Sequence, residues 1–369
     1  MNIQFSRPKK PKFHKTNNLN CYYNSCEILI IVSFLKFVYR LFDYIQALFP
    51  TFLTSTHMSL PLLSRILSFS MIFVFLSFST PATDFMAVES IKKTTIAEAA
   101  SSFIPLRACN NEGLQSALDQ VLNQNPKWRK LIQEKRLSVG LVDMREEYNT
   151  KFAHVNGKEM MYAASLPKIA ILLAAMDAID KNELEETAAV KRDMKLMIAK
   201  SDNQASTRMI DRVGYEKISD ILTDPRYGLY DESHGGGLWV GKRYAAGGAR
   251  NPDPMKGICH AATAEQVCRY YYLMSKGKLI NPHRSQEMMN IMVDPLLHHK
   301  FVNTLDKVAP QAKLYRKSGS WRNFHSDSVM VMDERSQRKY ILVALAEDPS
   351  GEQIIRKLVY AVEKAMKNA

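Results

Sequence analysis

The stretch Ala164-Ser165-Leu166-Pro167-Lys168-Ile169-Ala170-Ile171-Leu172-Leu173 sets one lysine inside a run that is otherwise apolar apart from Ser165. An ammonium is costly to bury unless it is paired or gives up its proton. Two readings follow. Lys168 snorkels from a core helix to the surface, or Ser165 and Lys168 lie one helical turn apart as a nucleophile and its base. Proline fits the first turn of a helix and no deeper position, so Pro167 marks a helix start. Residues 169–179 are apolar nearly all round, the pattern of a buried helix. Desolvation there would push Lys168 toward the neutral amine that a general base requires. The helix N-terminus would favour negative charge developing near Ser165.

Spacing alone does not decide between the two. Ser-x-x-Lys occurs six times, starting at Ser6, Ser33, Ser90, Ser165, Ser275 and Ser336. Of these, the pair at Ser165 opens a long buried helix in the globular part. The surrounding chain reads as α+β. A helix starts near Glu112 with Leu114, Leu118 and Val121 on one face and ends near Asn125-Pro126. A strand follows at Leu137–Met144, then a polar, hairpin-like stretch to Lys158. After the buried helix come a helix at Val190–Ile198 and another from Asn203. Residues 223–257, rich in Gly and Pro, read as a long loop, and its glycines lack dinucleotide-binding spacing. Thr263-Ala264-Glu265-Gln266 is a capping box that opens a helix through Tyr272, and a further helix runs near Ser285–Met292. The chain closes with strands at Leu314–Ser318, Ser328–Met332 and Tyr340–Ala346 and a helix at Gly351–Lys367. One strand before the helices and several after them predict an antiparallel sheet with a helical insertion.

Two further triplets lie on the elements this chemistry needs. Ser201-Asp202-Asn203 stands between helices, where by itself it would be an ordinary N-cap. Lys317-Ser318-Gly319 ends a strand, where by itself it would be a charged strand end and a turn glycine. In this order the three motifs resemble the serine penicillin-recognising enzymes, the class A β-lactamases and penicillin-binding proteins, over roughly residues 110–369. The resemblance implies an antiparallel sheet flanked by helices. Ser165 would be the acylated nucleophile and Lys168 its proton acceptor or relay. Ser201 would pass a proton to the leaving nitrogen. Asn203 would bind the substrate amide carbonyl, Lys317 would hold an anionic field and Ser318 would bind the substrate carboxylate. The N–H groups of Ser165 and Ser320 would form the oxyanion hole, and Asp202 would be structural. The implied partner is a small β-lactam or a peptidoglycan-derived peptide, with no metal or organic cofactor. A monomer is expected.

Two departures from the family pattern stand out. The Glu-x-x-x-Asn setting that supplies a deacylating glutamate is absent. Glu232 and Asp231 fall in the right region, as does His234, but loop acids are mostly solvated. The interval from Ser165 to Ser201 is only 36 positions, so the helical subdomain is trimmed. No arginine for the substrate carboxylate is evident. Arg322 is nearest in sequence to the third motif and reads as a surface residue, and His298-His299 reads as a solvated loop.

The formal charge of +13 is diffuse, with no basic run interleaved with aromatics, so nucleic acid is not implied. The first 82 residues hold eight Lys and Arg against two Asp and Glu, leaving +7 on residues 83–369. That balance suits anionic small molecules or an anionic envelope surface. Residues 58–82 combine Arg65, an apolar stretch at Ile66–Phe78 and small residues at Thr80-Pro81-Ala82, the pattern of a secretory signal peptide or a retained anchor. Met58 is then the expected start, with 1–57 an over-extended reading frame. The alternative makes Ile28–Leu35 part of a membrane segment. Residues 83–109 read as a linker, and the protein is expected to be exported. Beyond Met58 the cysteines are Cys109, Cys259 and Cys268, none with metal-ligand spacing, and any single disulfide among them stays open.

Overall fold

A computed structural model describes residues 103–369 except Glu147, Ala245 and Ala246. The readings of 1–57, of 58–82 and of the linker up to residue 102 lie outside the described residues. The described chain falls in one compact unit, 102–369.

Five antiparallel strands form its centre, in the order β2-β1-β10-β9-β8. These are β1 (Leu137–Asp143), β2 (Lys151–Val155), β8 (Lys313–Trp321), β9 (Phe324–Asp333) and β10 (Arg338–Glu347). Side chains alternate across the sheet, and both faces are covered. Tyr340, Leu342 and Ala344 join Val139 and Leu141 against α1 (Glu112–Asn123) and α10 (Gly351–Asn368). Ile341, Val343 and Leu345 face the other way, into a core shared with α3 (Lys168–Asp180) and α7 (Ala264–Ser275). A Cβ at Gly140 would stand 2.6 Å from Cys268 Sγ and 3.2 Å from Ala264 O, so glycine lets α7 lie directly on β1.

Between β1 and β8 the chain inserts its helices. They are α3, α4 (Ala188–Ala199), α5 (Asn203–Val213), α6 (Tyr215–Thr223), α7 and α8 (Pro282–Met292), followed by α9 (Phe301–Val308). Every residue of α3 from Lys168 to Ile179 is buried, as its all-round apolar sequence requires. Only α3 and α4 separate Ser165 from Ser201, which is the trimmed helical part that the short interval implied. Asp193 of α4 is fully buried and ties α5 to α4 through Arg208 (2.6 Å) and Arg212 (2.6 Å).

Three helices escaped the sequence reading. Asn125-Pro126 reads as a stop, yet Asn125 caps α2 (Pro126–Gln133) and Pro126 is its first residue. The other two, α6 and α9, are short and have no side-chain cap. The expected loop 223–257 is interrupted by β4 (Tyr230–Asp231), β5 (Gly236–Gly237) and β6 (Trp239–Val240). Strand β6 pairs with β7 (His260–Ala262), and β7 pairs with β3 (Met161–Tyr162), the strand that delivers the chain to Ser165. The described end of the expected linker is not free either. Phe103 stacks on Tyr272, Leu106 is buried, and Arg107 pairs with Asp231 and Glu265. Cys109, Cys259 and Cys268 are all free thiols. Among the described residues, no helix is long and apolar enough to cross a membrane.

Candidate active site

The turn that carries Ser165 precedes α3 rather than lying within it. Pro167 is the N-cap and Lys168 the first helical residue. Ser165 O accepts from Lys168 N at 3.3 Å, and Ala164 sits at φ +51°, a left-handed conformation uncommon for a non-glycine residue. Three bonds hold this turn. Ala163 N donates to His260 O (2.8 Å), Ser326 Oγ donates to Ala163 O (2.7 Å), and Tyr244 Oη donates to Ala164 O (3.3 Å). Strand β8 closes on it at Gly319, where a Cβ would meet Ala163 O at 2.3 Å and Ser165 N at 2.5 Å. Glycine in the third motif is therefore a contact requirement: it brings β8 against the Ser165 amide.

Lys168 does not snorkel. It is fully buried, and its Nζ donates to Ser201 O (2.7 Å) and Asn203 Oδ1 (2.8 Å), with Ser201 Oγ at 3.4 Å. Burial pulls its pKa down to about 7, with Asp202 opposing weakly. Among the described residues no carboxylate forms an ion pair with Lys168, and Ser165 Oγ makes no side-chain hydrogen bond. Ser201 has φ +55°, which turns its carbonyl and hydroxyl toward the two lysines. Asp202 caps α5 by accepting from Ala205 N at 2.6 Å. From β8, Lys317 Nζ donates to Ser201 Oγ (2.9 Å) and Ser318 O (2.7 Å). Burial first, then repulsion from Lys168, holds Lys317 well below the usual lysine range. Ser165, Lys168, Ser201, Asn203, Lys317, Ser318 and Ser320 thus gather around one turn and one strand end.

The strand end carries residues that no motif named. His299 Nε2 lies 3.2 Å from Ser318 Oγ. It is half-buried and shifted down to about 4 by desolvation and by Arg316, so His299 does not sit in the solvated loop expected for the histidine pair; His298 does, beside Asp306. Lys300 is fully buried and donates to Gly319 O, Ser320 Oγ (2.8 Å) and Ser326 O (3.0 Å). Arg316, next to the third motif, is committed to buried Asp327 at 2.7 Å. Arg322 is exposed and lies over Trp321.

Glu232 stands apart, exposed on a short 3₁₀ turn. Its neighbours Asp231 and His234 pair with each other at 2.9 Å, and Asp231 also holds Arg107. No hydrogen bond or ion pair among the described residues joins Glu232 to the Lys168 cluster. A cleft of about 1090 Å³ lined by Arg145, Lys313, Asp333 and Arg338 contains none of the motif residues.

The geometry brings Ser165, two buried lysines, Ser201 and Asn203 around one turn and one strand end, an arrangement suited to nucleophilic chemistry at a serine. The family model of the Beta-lactamase enzyme family matches residues 186–366, just under half of the chain and inclusive of the second and third motifs. PBP-A has a similar structure, with 20% sequence identity and a TM-score of 0.51 over 70% of this chain and 98% of that one. A single-site variant of PBP-A, solved as its acyl-enzyme complex with penicillin G, has 20% identity and a TM-score of 0.52 over 72% and 100%. A class A β-lactamase representative from Bacteroides cellulosilyticus has 16% identity and a TM-score of 0.50 over 70% and 100%. No curated protein matches the chain. The chain has the β-lactamase/transpeptidase fold, and its second half resembles the Beta-lactamase enzyme family.

Proposed function

We propose that this protein forms an acyl-enzyme at Ser165 on an amide or β-lactam substrate that carries a carboxylate, and releases the acyl group slowly. The observation that carries the reading is that two buried lysines, Lys168 and Lys317, share Ser201 as a common oxygen partner. A neutral Lys168 amine accepts the Ser165 proton as Oγ attacks the carbonyl carbon. Ser201, held by Lys317, passes a proton to the leaving nitrogen. The Ser165 and Ser320 N–H groups receive the developing oxyanion. Ser318 and Asn203 take the substrate carboxylate and amide carbonyl, and Lys300, bonded at the same strand end, favours that anion.

Slow release follows from what faces Lys168. Among the described residues its partners are a carbonyl, an amide oxygen, the Ser201 hydroxyl and an aromatic ring, none of which can activate water as a carboxylate does. Glu232 supplies no such group from its exposed turn. This favours a penicillin-binding role, as in peptidoglycan DD-peptidases, over efficient β-lactam hydrolysis. The signal-like segment at 58–82 supports export to the periplasm or outside the cell, where such substrates lie. Incubation of the full chain with a labelled penicillin, followed by intact mass over time, tests the reading. A persistent adduct on Ser165 is expected. Rapid turnover would replace slow release with β-lactamase activity, and no adduct at millimolar ligand would leave a non-catalytic binding protein of this fold.

A further inference from the structure

Tyr244 belongs to none of the three motifs and lies 76 positions from Lys168 in the sequence. It stands in the loop between β6 and β7, yet it touches both members of the nucleophile pair's support. Lys168 Nζ lies over its ring, 4.5 Å from the centroid. Its hydroxyl donates to Ala164 O, the carbonyl of the left-handed residue directly before Ser165. Its ring stacks on His260 with centroids 4.0 Å apart and planes within 2°. His260 in turn anchors the same turn, because its backbone oxygen accepts from Ala163 N. The imidazole is buried and faces Lys242 O at 3.0 Å through Nε2. A carbonyl there requires the Nε2–H tautomer, so Nδ1 is a bare acceptor, and it has no hydrogen-bond partner. A charged imidazolium in this place would leave an N–H unsatisfied, so His260 is a neutral backing plate.

We propose that Tyr244, backed by His260, is the positioning residue of the Ser165–Lys168 pair, its ring keeping water from Lys168 Nζ and its hydroxyl fixing the turn at Ala164. The proposal rests on the acyl-enzyme reading above and extends it to a loop outside the motifs. An ammonium loses more on leaving water than one ring face returns, so the ring favours the neutral amine before proton transfer. Of the other groups facing Lys168, Asp202 draws it toward the charged form and Ser201 and Asn203 present oxygens, whereas Lys317 repels charge and so acts in the same direction as the ring.

The test compares Tyr244→Phe and Tyr244→Ala in the full chain. Acylation by a fluorescent penicillin is followed from pH 5.5 to 9, and the Nζ resonances of [15N]lysine-labelled protein are titrated by NMR, with Lys168→Arg giving the assignment. Tyr244→Phe keeps the ring, so the rate falls severalfold and the acidic midpoint stays. Tyr244→Ala admits water, so Lys168 titrates higher and acylation at pH 6.5 falls about tenfold more than at pH 9. Tyr244→Gln, which keeps bulk but brings a polar amide, serves if the alanine variant does not fold. A Lys168 titration identical in all variants overturns the proposal. Because NMR reads Lys168 directly, a shift without any labelling of the unmodified protein removes the acyl-enzyme reading and leaves Tyr244's role standing.

Discussion

Two lysines stand at the starts of helices, Lys168 opening α3 and Lys300 capping α9, and both are fully buried with no carboxylate ion pair among the described residues. Burial lowers both, Lys168 to about 7 and Lys300 to about 8. Their surroundings differ. Lys300 is enclosed by Gly319 O, Ser320 Oγ and Ser326 O, all on the two strands that frame the third motif. Lys168 faces Ser201, Asn203 and an aromatic ring beside the turn that carries Ser165. Desolvation alone therefore does not mark a catalytic base. Lys168 lies beside the turn that carries Ser165, whereas Lys300 holds two strand carbonyls and Ser320 Oγ, the bonding of a clamp. By this contrast Lys300 braces the strand that presents Ser318 and Ser320.

Substitutions can break this comparison, and the largest effect belongs to the nucleophile. Ser165→Ala should abolish penicillin labelling and leave the thermal midpoint nearly unchanged, read by intact mass and calorimetry. Lys168→Ala should cut the acylation rate by about 10²–10⁴-fold, the usual worth of a positioned base; normal labelling would remove its proton-transfer role. Lys300→Met should slow acylation by about tenfold, since backbone oxygens lose a charged donor, but it should leave the pH midpoint in place. A shifted midpoint would show that Lys300, too, sets the proton inventory.

The pH dependence sharpens the same contrast. Acylation should rise as pH climbs through about 7, where Lys168 becomes neutral. Stability should also rise with pH between about 7 and 10, because the unfolded chain holds protons on Lys168 and Lys300 that the folded one has released. Urea midpoints across that window should lose part of their slope in Lys300→Met. The smallest expected effect lies away from the site. Asp193→Asn should cost about 1–2 kcal/mol by weakening the Arg208 and Arg212 pairs, which are partly exposed and so only moderately strong. Asp193 is held down to about 2, so its contribution is present above pH 4 and is lost as pH falls toward 2.

The sequence by itself determined the elements whose pattern is periodic or whose caps are local. The last three strands and the final helix fall where alternation and the 3.6-residue stripe put them, and Thr263 caps α7 by accepting from Gln266 N as its capping box predicts. It also determined the order of the three motifs, which made a Lys168 that serves Ser165 the expectation, while its burial was decided by the packed structure. Tertiary structure decided what those motifs meet. Tyr244, His260, His299 and Lys300 sit in loops and at strand or helix ends whose course no periodicity dictates. Their partners lie far along the chain, 80 positions for Tyr244 and Ala164, and a local pattern carries no trace of such contacts. Glu232 shows the converse: a carboxylate in the right stretch of sequence stands on an exposed turn, because the chain there folds against Arg107 and Lys158. Only the packed molecule shows that, among the described residues, a ring and not an ion-paired carboxylate faces Lys168.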